Sequence, residues 1–274
     1  MTQAVPPKFS VSVETSEGRF TVNVERRLSP RGARRFYNLV KTKFLDNQRF
    51  YRVVPNWVVQ FGVNGSPIAS AVYNYKNDIP GAILRPEPVI AHNVRGAVAF
   101  SAAPHALNRT AELYINLVDN SRVLDELGYP VFGFVNKREM HVVDALFSGY
   151  GELRQICLQN SSAHRERPKV CDGPDEARIY REGNKYLERE FPRLSTITRA
   201  SIVARGDGGL NAIRLLVAGI VLTILFVVAL WLIVRRSDRW QRRPSSETTD
   251  FIQLGQLRDD VEEEEESGDN DDHR

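Results

Sequence analysis

Phe50-Tyr51-Arg52-Val53-Val54-Pro55-Asn56-Trp57-Val58-Val59-Gln60-Phe61-Gly62 holds two short apolar runs rich in Val, 50–54 and 58–62, with one cation, Arg52, and one amide, Gln60, set into them. Runs of this length and composition read as strands. Similar runs lie downstream at 97–101, 113–118 and 131–135, and a last one at 196–203. Upstream, Phe9, Val11 and Val13 alternate with polar residues, as do Phe20, Val22 and Val24, on either side of Ser16-Glu17-Gly18. That pattern is a half-buried antiparallel hairpin. Ser29-Pro30 supplies an N-cap and a first-turn proline, and Ala33, Phe36, Tyr37 and Val40 follow at helical spacing, so a helix of about a dozen residues packs on the sheet. A second amphipathic helix is expected over 138–147. Eight short strands and two helices predict a mainly β domain, a closed eight-stranded antiparallel barrel capped by the two helices.

At 274 residues, with 42% hydrophobic and 26% charged positions, the chain suits one well-cored domain with appendages. Charge is unevenly spread: residues 211–274 carry 8 Lys/Arg and 13 Asp/Glu, against 29 and 21 before them. The mildly basic first part has no aromatic-basic stripe, so no nucleic-acid partner is expected. Cys157 and Cys171 are the two cysteines. They cannot build a zinc cluster, the histidines are not at ligand spacings, and neither a metal nor another cofactor is expected. Fourteen residues apart, the two either close a disulfide in an oxidising compartment or stand as unpaired thiols.

Residues 215–234 read LLVAGIVLTILFVVALWLIV, twenty uncharged positions that at ~1.5 Å per residue match a hydrocarbon core of about 30 Å. A single-pass transmembrane helix is therefore expected over 212–234, following a domain at 8–204 and a Gly-rich linker at 205–211. Residues 235–274 are expected to form a disordered tail, basic and then acidic, whose run at 262–266 either serves solvation, the commoner role of such a run, or binds a basic partner. Arg235, Arg236, Arg239, Arg242 and Arg243 outnumber Arg199, Arg205 and Arg214, which puts the tail in the cytosol and the domain on the extracytoplasmic or lumenal side.

The stretch at 50–62 resembles the cyclophilin signature, in which F-H-R-x-I-P-G-F-x-x-Q-G-G is typical, with Arg52 and Gln60 at the right spacing. Arg95-Gly96-Ala97-Val98-Ala99-Phe100-Ser101, the run 111–120 (AELYINLVDN), Leu124-Asp125 and Tyr129-Pro130-Val131-Phe132-Gly133 extend the likeness. The Ile-Asn-Leu-Val-Asp-Asn run and the closing 182–192 are similar to the bacterial-type branch. The resemblance implies a peptidyl-prolyl cis/trans isomerase whose clients are proline-containing polypeptides, and the expected anchor at 212–234 makes it a membrane-tethered folding helper. An X-Pro amide resists rotation by about 18–20 kcal/mol because its nitrogen lone pair is delocalised. By the resemblance Arg52 is the catalytic group that hydrogen-bonds this nitrogen as it pyramidalises, suited to it by a fixed fork of donors that never loses its charge. Gln60 holds the substrate backbone and orients Arg52. Trp57, Val58, Tyr114 and Leu124 receive the proline ring, and Ser101, Ala102, Glu112 and Tyr129 complete the binding groove.

Several of these positions depart from the family pattern. Trp57 replaces Phe, Val58 Met, Glu112 Gln and Tyr114 Phe, Ala102 stands where Asn is frequent, and Tyr129 where His is frequent. Glu112 brings a carboxylate beside Arg52, where the two are expected to pair in the empty site. The competing reading is a cyclophilin-fold module or scaffold that holds proline segments with weak or no isomerase activity.

Overall fold

A computed structural model of the chain describes residues 4–74, 77, 79–102, 108–164, 171–203 and 208–241. The chain divides into two units, Met1–Gly206 and Asp207–Arg274.

In the first unit the hairpin forms as its alternation requires. β1 (Lys8–Thr15) and β2 (Gly18–Glu25) pair antiparallel with Val11 opposite Val22 and Val13 opposite Phe20. Phe9, Val11, Val13, Phe20, Val22 and Val24 all turn into the core. β2 pairs β8 (Val131–Val135), and then β6 (Ala97–Phe100), β7 (Leu113–Asn116), β5 (Val58–Phe61) and β4 (Arg52–Val53) follow in turn. On the other side β1 pairs β9 (Thr196–Val203), and β9 pairs β3 (Gln48–Arg49).

The sheet is thus an open antiparallel half-barrel of nine strands, ending in β3 and β4, and the closed eight-stranded barrel is corrected. The break lies inside the segment expected as one strand at 50–54. Phe50 is buried in the main core with Phe61 against it, ring centroids 5.3 Å apart, whereas Tyr51 is buried in a separate apolar cluster with Val63, Leu153, Ile179, Tyr186 and Leu187. Two large consecutive side chains anchored in different clusters leave only two paired residues on either side of them. One piece joins each edge of the sheet.

α1 (Pro30–Lys41) packs Ala33, Phe36, Leu39 and Val40 into the main core. Ser29 occupies the N-cap position but its hydroxyl does not cap the helix; it donates to Glu87 at 2.6 Å. The Glu87 carboxylate accepts the Arg31 and Gly32 N–H groups at 2.7 and 3.2 Å, putting negative charge at the positive end of the helix. Behind it Arg109, fully buried, sets Nη1 3.6 Å from Glu87 Oε2 and donates from Nη2 to the Arg85 carbonyl. Burial lowers the Arg109 pKa, and Glu87 opposes that shift.

Instead of two helices, seven are described in this unit, the others being α2 (Pro67–Ala71), α3 (Ser121–Leu124), α4 (Met140–Asp144), α5 (Arg154–His164), α6 (Glu176–Glu182) and α7 (Asn184–Glu190). α4, with a 3-10 turn at Lys137–Glu139 before it, is the helix expected at 138–147. α5 occupies much of a stretch too polar to show a stripe. α6 and α7 are two turns each, divided at Gly183, whose φ of +60° suits glycine. Cys157 on α5 is disulfide-bonded to Cys171.

In the second unit α8 (Gly208–Gln241) takes in part of the expected linker and the start of the expected tail, while 204–207 and 242–274, including the acidic run, lie outside the described residues. Among the described residues no helix is long and apolar enough to cross a membrane. The single-pass anchor and the sidedness built on it are corrected accordingly.

Candidate active site

Strand pairing assembles the site. Arg52 on β4 lies opposite Gln60 on β5, Gln60 opposite Tyr114 on β7, and Tyr114 opposite Ala99 on β6, one row across four strands. Residues of one row share a face of the sheet, and Val58, two positions from Gln60, joins them. On this face lies a cavity of about 510 Å³. Arg52, Trp57, Val58, Gln60, Ser101 and Ala102 line it, as do Glu112, Tyr114, Leu124 and Tyr129. All ten positions expected from the sequence therefore meet around one space.

One end is apolar. Val58, Ala99, Tyr114, Leu124 and Tyr129 form a cluster, with Trp57, Ala102 and Leu127 packed against it. The two tyrosine rings meet edge to face at 6.0 Å. Their hydroxyls are tied down, Tyr114 donating to Asn93 Oδ1 and Tyr129 to the Ala102 carbonyl, both at 2.8 Å. Asn93 is held in turn by its own donations to Asp125 and the Tyr129 carbonyl. Burial pushes both phenols above their usual pKa, so the walls stay neutral at ordinary pH.

The other end is a run of charge-assisted hydrogen bonds. Arg52 donates from Nη1 to Gln60 Oε1 at 3.0 Å, and from Nε and Nη2 to the two oxygens of Glu152 at 2.5 and 2.8 Å. Gln60 Nε2 donates to Glu112 at 2.8 Å and to Ser101 Oγ at 3.3 Å. Glu112 also accepts the hydroxyls of Tyr51 and Tyr180, each at 2.6 Å. The expected pairing of Glu112 with Arg52 is corrected: Glu152 is the carboxylate that Arg52 binds, and Glu112 is engaged by two phenols and an amide.

Glu152, Tyr51 and Tyr180 are the residues that the sequence reading assigned no part in the site. Leu153 just before α5, Gln155, Ile156 and Gln159 on α5, and Glu176 at the start of α6 add a wall to the cavity that no strand supplies. Glu152 was detectable only as a carboxylate next to Gly151, whose φ of +61° marks a turn. Among the described residues no three or more His, Cys, Asp or Glu are grouped to hold a metal ion.

Fold and site define a class: a β half-barrel with one clamped arginine at the rim of an apolar pocket. Residues 10–163, more than half of the chain, match the family model described as "Cyclophilin type peptidyl-prolyl cis-trans isomerase/CLD", and the chain belongs to the cyclophilin-type peptidyl-prolyl cis/trans isomerases. It is 29% identical over 142 residues to a peptidyl-prolyl cis-trans isomerase of Acinetobacter baylyi, covering 50% of this chain and 70% of the relative. Peptidyl-prolyl cis-trans isomerase A of Dickeya dadantii is 28% identical over 164 residues, 58% of this chain and 77% of the relative. A solved cyclophilin type peptidyl-prolyl cis-trans isomerase of Cryptosporidium parvum superposes with a TM-score of 0.47 at 12% identity, over 72% of this chain and 99% of that one.

Proposed function

We propose that residues 8–204 form the isomerase domain and that Arg52 is its catalytic group, acting on X-Pro bonds of polypeptides. The observation that carries this reading is the position of the Arg52 guanidinium beside a pocket of Trp57, Val58, Tyr114 and Leu124. Five N–H donors leave Arg52 two to spare after its bonds to Gln60 and Glu152. A proline ring seated among the four apolar side chains brings its nitrogen towards those donors. Bonding to that nitrogen grows stronger as the lone pair localises in the twisted amide, so the rotational transition state is bound better than either planar isomer. Ser101, Ala102, Glu112 and Tyr129 line the groove along which the flanking residues lie. No covalent intermediate is needed.

Assignment to the bacterial-type branch rests on the run 115–120, and a role as a folding helper for proline-containing clients follows from the activity. A second reading, a module that holds proline segments and turns over slowly, is favoured by one fact: Glu152 already takes two of the Arg52 donors. A protease-coupled isomerisation assay on the full chain separates the two. The enzyme reading expects catalysed cis-to-trans conversion that falls roughly a hundredfold in Arg52→Ala, the size of effect seen when one preorganised donor is removed. Binding of a proline peptide without any Arg52-dependent rate supports the module instead.

A further inference from the structure

We infer that Glu152 is a positioning residue for the isomerase reaction, fixing the plane and reach of the Arg52 guanidinium from outside the sheet. The inference rests on the reading of Arg52 as the catalytic group. β4 is a two-residue edge strand, and by itself it gives the long Arg52 side chain little direction. Gln60 holds one corner at Nη1, and a single hydrogen bond leaves the guanidinium free to swing about it. Glu152 adds the two-point contact at Nε and Nη2 that matches the geometry of a carboxylate to the arginine fork. With only 12% and 22% of the two side chains exposed, the pair is shielded enough to hold one arrangement. One donor on each Nη remains for the substrate.

Glu152 is itself braced. Its Oε1 accepts the N–H of Leu153 at 2.8 Å, and Leu153 is buried among Tyr51, Ile179 and Tyr186. A Cβ added to Gly173 would stand 1.8 Å from the Glu152 carbonyl oxygen, so the chain at 173 lies directly against 152 and only glycine fits. Beside this contact Arg154 N–H donates to the Pro174 carbonyl at 3.1 Å, and Cys171 is bonded to Cys157. The disulfide, the close approach at Gly173 and the Leu153 anchor together hold the carboxylate at a fixed distance from β4. A group held in this way governs turnover rather than affinity, because the proline ring is gripped by the apolar end of the cavity.

The test measures kcat and KM separately, with thermal midpoints, for the full chain and its Glu152→Gln, Glu152→Ala, Arg52→Ala and Arg52→Ala/Glu152→Ala variants. Glu152→Gln keeps the shape of the side chain and guards against misfolding. The expected result is a fall of about tenfold in kcat for both single Glu152 variants with KM within about twofold, and no further fall when Glu152→Ala is added to Arg52→Ala. An unchanged or raised kcat in Glu152→Gln overturns the inference. So does an equal loss from Glu152→Ala with Arg52 present and absent, since that is the mark of a residue that serves the fold alone. Full activity in Arg52→Ala would overturn the catalytic reading itself, an outcome distinct from either of these.

Discussion

The side-chain amide of Gln60 donates to Glu112 at 2.8 Å, and this contact decides which way round Gln60 stands. A carboxylate oxygen accepts, so the nitrogen end must face Glu112 and the oxygen end is left for Arg52 Nη1 at 3.0 Å. The orientation of the catalytic arginine is thereby linked, through Gln60, to a carboxylate held by two phenols from different parts of the chain, Tyr51 beside β4 and Tyr180 on α6.

Replacing Glu112 should disturb both ends of this link. Glu112→Ala removes an acceptor shared by two phenols and an amide, and an unmade bond at a buried polar group costs about 1–3 kcal/mol. Urea unfolding is expected to show a loss of that order, with kcat lowered several-fold as Gln60 loses its orientation. Glu112→Gln, which retains an acceptor, should keep kcat within about threefold of the wild type.

The Glu87–Arg109 pair makes a stability prediction independent of catalysis. Arg109 is fully buried and Glu87 nearly so, and removing one partner of a buried pair typically costs 3–5 kcal/mol. Glu87→Ala also strips the N-terminus of α1 of its acceptor. A loss in that range is expected in urea unfolding, against about 1 kcal/mol for Ser29→Ala, which removes one donor to the same carboxylate. Equal effects of the two substitutions would show that Glu87 acts only as a cap.

Alkaline pH should loosen the fold through Tyr51. Burial first, and then the neighbouring Glu112 and Tyr180, hold its phenol well above the usual 10.0. The folded chain therefore keeps a proton that the unfolded chain releases. Stability is fully present below pH ~10 and declines as pH rises from there towards the raised folded value, by about 1.4 kcal/mol per pH unit for one such group. Thermal midpoints of the wild type should fall more steeply above pH 10 than those of Tyr51→Phe. Parallel profiles would mean that Tyr51 is not the titrating group.

Much of this architecture is legible in the residues themselves. Alternating Phe9, Val11 and Val13 and the helical spacing of Ala33, Phe36 and Val40 are local signals, and local signals survive in one sequence. The spacing of Arg52 and Gln60 was equally readable, because a two-strand pairing converts it directly into proximity. What was not readable depends on distance along the chain. Arg52 and Glu152 lie 100 residues apart, as Ser29 and Glu87 lie 58 apart, and nothing near either residue marks its partner. The same applies to the break at Phe50 and Tyr51: both look like members of one strand until Leu153, Ile179 and Tyr186 draw Tyr51 into a second cluster. α5 to α7 are short and polar, ordered by that cluster rather than by a stripe of their own.

The account stands or falls on whether Arg52 accelerates rotation about the X-Pro bond or merely helps hold it. Exchange NMR on a proline peptide reads the cis/trans interconversion rate and the binding affinity in one sample, for the full chain and for Arg52→Ala. The account predicts fast catalysed exchange with the wild type and a fall of roughly a hundredfold with Arg52→Ala while affinity changes only a few-fold. Exchange that is equally fast without Arg52, or that the wild type fails to accelerate although the peptide binds, would contradict it.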